Sequence, residues 1–216
     1  MELSPEQLAA QLRHPSGPQA RAVAEGMNRS NGALNHAAIE RLDVRRGESV
    51  LEIGPGNAAF AARLLRAEGT RYTGVDASAA MVAAANDALR SLGLEGRARV
   101  LHGDSSALPL DSGRYDAALC VNTLYFWERP SGHLRELARV LRPGGRLCLA
   151  FGDAGFMRTL PFAAHGFHLH PLPAVEAGLR QAGFAAPGHA LHCETGTSND
   201  GRRVHKRFHL LLASRD

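Results

Sequence analysis

The chain has 216 residues, 44% hydrophobic and 21% charged, enough for one well-cored globular domain. Its apolar runs fall far short of a bilayer span, and the polar start at Glu2, Ser4, Pro5 and Glu6 argues against a signal peptide, so a cytoplasmic protein is expected. A net charge of +4, with lysine only at Lys206 and aromatics at 6%, makes nucleic acid an unfavoured partner; three cysteines without a C-x-x-C pair predict free thiols in a reducing compartment.

Ser4 as a cap and Pro5 at the first helical position predict a helix over 4–13, which Pro15-Ser16-Gly17-Pro18 breaks. A second helix is expected over 19–25. A third, capped by Asn31, carries Leu34, Ala37, Ala38, Ile39 and Leu42 on one face. Between them Met27–Asn31 is expected to fold over the site as a lid. Residues 1–46 thus form an N-terminal helical cap or lid, and 47–216 the main domain. After the Arg45-Arg46-Gly47 turn, strands are predicted at 48–53, 71–75, 98–102, 115–121 and 145–151. Helices are predicted at 58–67, 78–92, 131–141 and 173–182. This alternation demands a parallel sheet covered on both faces. Residues 188–194 and 203–213 flank Ser198-Asn199-Asp200-Gly201 and pair antiparallel.

The chemistry gathers where the first strand ends, at Val50-Leu51-Glu52-Ile53-Gly54-Pro55-Gly56-Asn57. An apolar run passes through an acid into a glycine turn, which lets a ligand approach the main chain. The helix expected from Ala58 turns its N-terminal dipole toward the same place. Asp76 closes the second strand, where an acid accepts hydrogen bonds from ribose hydroxyls. Asp104 closes the third, followed by Ser105 and Ser106, and accepts from an exocyclic purine amine. Solvated loop acids explain any one of these, but not easily all three.

Together these residues resemble the class I S-adenosylmethionine-dependent methyltransferases, and more closely the type 11-like, small-molecule group. The resemblance covers roughly residues 30–184. It includes Leu108-Pro109-Leu110, the strand Tyr115–Val121, and Val140-Leu141-Arg142-Pro143-Gly144-Gly145-Arg146-Leu147. It implies an α/β, Rossmann-like seven-stranded sheet, mostly parallel with an antiparallel last strand, helices on both faces and an N-terminal helical cap. It implies S-adenosyl-L-methionine as cofactor, methyl transfer to a small-molecule O, N, C or S acceptor by in-line displacement, and no metal. Glu52, Gly54 and Gly56 would hold the methionine part, Asp76 the ribose, and Asp104 would lie beside the adenine. Pro55, Ala77, Met81, Ser105 and Asn122 complete the implied cofactor set. Ala58 stands where the family pattern has a third glycine.

On the acceptor side, Asn122-Thr123-Leu124-Tyr125-Phe126-Trp127 follows the fourth strand. Tyr125, Phe126 and Trp127 offer walls for a sulfonium or substrate. Packing on the next helix is the simpler role for Trp127. His165-Gly166-Phe167-His168-Leu169-His170 lies in the insertion that borders the substrate pocket in related enzymes, so Tyr125 and His168 are the candidate catalytic groups. Plain solvated histidines fit the cluster as well. His102 is expected to be structural, and His133 to lie on the surface. Two other readings stay open: an NAD(P)-dependent oxidoreductase, although Ala59 replaces the third glycine of the dinucleotide fingerprint, and a silent binding protein. Nothing in the sequence fixes the oligomeric state, and a homodimer is compatible with it.

Overall fold

The computed structural model describes residues 3–216; Met1 and Glu2, and with them part of the polar start, lie outside the described residues. Two helices open the chain, α1 (Pro5–Arg13) and α2 (Ala20–Leu42), joined by a 3-10 turn at Gly17–Gln19. Ser4 accepts from the Gln7 amide while the Gln7 side chain accepts from the Ser4 amide, a reciprocal cap that fixes where α1 begins. Here the expected helix boundaries fail. The helices anticipated at 19–25 and from Asn31 are one 23-residue helix, so Asn31 caps nothing and Met27–Asn31 is no loop. No proline follows Pro18 in this stretch, and Leu34, Ala38, Ile39 and Leu42 bury one face of α2 on the sheet. That packing outweighs the cost of Gly26 and Gly32, about 1 kcal/mol each.

The sheet then follows as β1 (Ser49–Ile53), α3 (Ala61–Leu64), β2 (Arg71–Asp76), α4 (Ala79–Ser91), β3 (Ala98–His102), β4 (Tyr115–Val121), α5 (Pro130–Val140), β5 (Leu141–Gly152), α6 (Ala154–Met157), α7 (Leu172–Gln181), β6 (Gly188–Thr197) and β7 (Arg203–Ser214). The strand order is β3-β2-β1-β4-β5-β7-β6, and only β7 runs against its neighbours. This is the Rossmann-like, mostly parallel arrangement expected from the sequence. β1 and β4, buried on both faces, contribute Val50, Leu51, Ala117, Ala118, Leu119 and Cys120 to the core. Burial pushes the Cys148 thiol up to about 12 and the Cys120 thiol higher, so neither is a nucleophile at neutral pH. The β3 edge is closed by Asn86, whose amide oxygen accepts from the Val100 amide at 2.9 Å and whose amine donates to the Val100 carbonyl at 2.8 Å.

A second correction concerns the helix expected over 58–67. Only Ala61–Leu64 is helical, and Ala58 holds a φ of +56°. The chain keeps winding through a left-handed residue there, so no long helix points its dipole at the loop. Ala58 thereby takes the conformation that glycine would adopt without strain, at a cost of about 1–2 kcal/mol. Ala58→Gly is therefore expected to raise the melting temperature by about 2–4 °C, measured by circular dichroism. A fall would mean that the buried methyl contributes more than the strain removes.

Candidate functional site

Seven chain segments converge at the carboxyl end of the central strands, around a cavity of about 270 Å³. One wall is the β1 loop. Gly54 and Gly56 have φ of +68° and +56°. They serve different ends. A Cβ on Gly54 would lie 2.5 Å from Thr123 Cγ2, so this glycine permits the β1 and β4 loops to touch. A Cβ on Gly56 would meet no protein atom, so its bareness serves whatever enters the cavity.

One carboxylate pins this loop and a second lies at its base. Asp76, buried at the end of β2, accepts from the Gly56 amide at 2.9 Å and from the Ser78 amide at 2.8 Å. Burial raises its pKa despite those bonds. Glu52 is buried at the end of β1 and accepts from the Tyr72 hydroxyl at 2.7 Å. Desolvation pushes its carboxyl up to about 7, against the lowering effect of Tyr72, with Asp76 nearby adding to the rise. Thr123 Oγ1, also at this wall, is buried without a hydrogen-bond partner. A cavity lined by a buried acid of raised pKa, an unsatisfied hydroxyl and a bare backbone bend suits a polar, cationic ligand.

The far end of the cavity lies beyond β3. Ser105 and Asp104 follow β3, and Asp104 is held below the usual carboxylate range by hydrogen bonds from Ser106. His133 is the main surprise. The sequence places it on the surface, yet it stacks on Trp127 with centroids 4.6 Å apart and planes 5° off parallel. Its Nδ1 shares a 2.8 Å hydrogen bond with Ser105 Oγ, and burial lowers its pKa. Both rings line the cavity. Trp127 does pack on α5, as expected, but through a residue that lines the site.

The N-terminal helices form the roof. Leu12, Arg13, His14 and Pro15 from the end of α1, and Met27, Asn28, Asn31 and Asn35 from α2, line the same cavity. His14 Nε2 donates to the Ala77 carbonyl at 3.0 Å, Ser78 Oγ donates to the Pro15 carbonyl at 2.6 Å, and Asn28 donates to Asn57 at 3.0 Å. His102 donates to the same Ala77 carbonyl at 2.9 Å, the structural role expected of it. Met81 is buried below, its amide donating to Ser78 Oγ.

Beside this cavity lies a smaller one of about 70 Å³, sharing Leu12, Met27, Asn31, Asn122 and Phe126 with it. Its walls are aromatic: Tyr125, Phe126, Phe156, Phe162, Phe167 and Phe208. Asn122, in the left-handed region at φ +56°, stands at the junction. Its side-chain oxygen accepts from the Tyr125 hydroxyl at 3.0 Å, and that hydroxyl in turn accepts from the Gly152 amide. Burial drives the Tyr125 pKa far up. Tyr125 therefore sits as a positioning group with both sides of its hydroxyl engaged. His168 lines neither cavity; its amide donates to the Tyr125 carbonyl at 2.8 Å, and Phe167 is the residue of this insertion that reaches the chamber. His170 is tied to the Trp127 carbonyl at 2.8 Å.

Thus every residue of the expected cofactor set, Glu52, Gly54, Pro55, Gly56, Asp76, Ala77, Met81, Asp104, Ser105 and Asn122, lines the larger cavity. Among the described residues no three His, Cys, Asp or Glu side chains cluster as a metal site would require, and no helix is long and apolar enough to cross a membrane.

Residues 51–149 match the family described as "Methyltransferase domain". The O-methyltransferase rstn1 of Aspergillus nomiae is 30% identical over 152 residues, 67% of this chain and 68% of that protein. Methyltransferase GfsG of Streptomyces halstedii is 38% identical over 117 residues, 54% of this chain but only 42% of that protein, so the chain spans less than half of this longer relative. In fold, the geranyl diphosphate C-methyltransferase from Streptomyces coelicolor A3(2), solved with Mg2+, geranyl diphosphate and S-adenosyl-L-homocysteine, superposes with a TM-score of 0.72 at 17% identity, covering 96% of this chain and 89% of that one.

Proposed function

This chain belongs to the class I S-adenosylmethionine-dependent methyltransferases, and from that premise we propose that it methylates a small-molecule acceptor seated in the aromatic chamber. Family membership replaces the nicotinamide-dependent alternative. The observation that carries the proposal is the shared wall: an apolar chamber opens beside the polar cavity across Asn122 and Phe126. In the larger cavity, Glu52, the Gly54–Gly56 bend and Asn122 would hold the methionine end of the cofactor. Asp76 would hold the ribose, and Asp104, Ser105 and the Trp127–His133 stack the base. When bound, the cofactor supplies a methyl group on a sulfonium, already activated toward attack.

The protein's own contribution is placement. The aromatic walls exclude water and orient the acceptor, and such positioning is worth on the order of 7 kcal/mol or more in the best intramolecular cases. Neither Tyr125, with its hydroxyl engaged, nor His168, outside the chamber, stands ready as a base. An acceptor that is already a nucleophile, or that loses its proton to solvent, needs none. Incubation with methyl-labelled cofactor and a metabolite extract, with identification of the labelled product, tests the proposal. Absence of any cofactor binding by calorimetry would refute it.

We further propose that residues 1–46 act as a cap closing on the cofactor, because the α1 end and α2 supply the roof contacts to Ala77, Ser78 and Asn57. Since α2 begins at Ala20, removal of residues 1–18 leaves that helix whole. Cofactor affinity is expected to fall about tenfold in calorimetry, the value of one or two hydrogen bonds and the lost burial. Unchanged affinity would rule out the cap.

A further inference from the structure

One residue of the aromatic chamber carries a buried polar atom with no hydrogen-bond partner. The atom is the side-chain oxygen of Asn199, at the turn between β6 and β7. Lys206, Ser30 and Ser198, which line the chamber with it, are engaged. Lys206, buried, donates to the Ser30 carbonyl and pairs with Glu194 at 3.3 Å. Ser30 Oγ donates to the Thr197 carbonyl at 2.8 Å, and Ser198 Oγ bonds Asp200. A buried carbonyl left alone is costly, and proteins rarely keep one that no ligand or water completes.

Position and charge narrow what would complete it. The chamber shares Asn122 and Phe126 with the cofactor cavity, but shares Phe162 and Asn199 with an outer groove between α1, α2 and the hairpin turn. Asn199 therefore stands on the side away from the cofactor cavity. The Lys206 ammonium in the wall repels a cation, and its pairing with Glu194 leaves no free charge for an anion. Six aromatic walls and about 70 Å³ suit a ring-sized apolar body.

We infer that Asn199 is a specificity-determining residue, selecting a neutral, ring-sized acceptor through a hydroxyl or amine that is not the atom methylated. The inference rests on the methyltransferase reading, because the acceptor is what fills the chamber.

The probes are phenol and aniline, which donate a hydrogen bond, and toluene, which has the same shape and does not. Each is titrated calorimetrically into protein saturated with S-adenosylhomocysteine. Asn199→Leu is expected to shift the phenol-to-toluene and aniline-to-toluene affinity ratios toward toluene by roughly tenfold to a hundredfold, with S-adenosylhomocysteine affinity unchanged. Asn199→Ala carries the same comparison if the leucine variant fails to fold. The product from the labelled extract is expected to keep a free hydroxyl or amine besides its new methyl group. Unchanged ratios in a variant that still binds S-adenosylhomocysteine, or a product with no remaining donor, overturn the role of Asn199 and leave the methyltransferase reading standing. Absence of probe binding to the loaded wild type overturns the chamber as the acceptor site. Loss of S-adenosylhomocysteine binding by the wild type itself overturns the wider reading.

Discussion

Glu52→Gln is expected to stabilise the ligand-free protein above neutral pH and, in the same stroke, to cripple cofactor binding. The Glu52 carboxyl titrates at about 7 in the fold against 4.5 as the ordinary value, because burial disfavours its charge. A group whose folded pKa is raised stabilises the fold while protonated. Its contribution is complete below about pH 4.5 and disappears as pH rises through about 7. Above that point the wild type carries a buried charge that costs roughly 3 kcal/mol, and the neutral amide removes it. Denaturant melts at pH 8 should show the variant more stable, and at pH 5 the two should converge.

Binding should run the other way. A cationic ligand beside Glu52 favours the ionised carboxylate, so cofactor uptake near neutrality releases a proton, and affinity climbs as pH rises toward 7. The glutamine variant should lose that slope and bind on the order of a hundredfold more weakly at pH 8, the scale of breaking a buried charge pair. Calorimetry in phosphate and in Tris, whose ionisation heats differ, reads the proton directly. Equal heats in both buffers would separate Glu52 from the cofactor.

Asp76→Ala is expected to lower cofactor affinity by at least about a hundredfold. Two losses add. The proposed ribose partner disappears, and the Gly56 and Ser78 amides lose the carboxylate that pins the loop, at 2.9 and 2.8 Å. Asp76→Asn separates them, since the amide nitrogen that replaces one carboxylate oxygen only donates, so one of the two backbone donors loses its partner. The asparagine variant should therefore fall between alanine and wild type. A circular dichroism spectrum unchanged in both variants shows that the sheet persists. Wild-type affinity in the alanine variant would remove Asp76 from the site.

Much of the scaffold was legible because its signals are local. The reciprocal cap at Ser4, the acid-then-glycine turn at Glu52–Gly56 and the closing acids at Asp76 and Asp104 each occupy one stretch of chain. The errors have a common source. Polar Asn28, Ser30 and Asn31 looked like a break, and only the sheet beneath α2 makes that helix continuous. Ala58 looked like the first residue of a good helix, and only its positive φ shows otherwise. The aromatic chamber is invisible in the sequence for a stronger reason. It is assembled from Ser30, Tyr125, Phe126, the 156–167 segment and the β6–β7 hairpin, which no spacing rule brings together. His133 carries no signal in the sequence because its partner, Trp127, lies before the helix that carries it. One clue was present: Lys206 and Phe208 alternate on β7 and so share a face, and both line the chamber.

Lys206 has one more consequence. The chain's whole supply of lysine amines is this single ammonium, 3% exposed and clasped between Ser30 and Glu194. Acylating reagents that hunt lysines find the surface of this protein blank. The nitrogen comes within their reach only when the hairpin peels away from α2, so its rate of acylation is a clock on how often these two elements part.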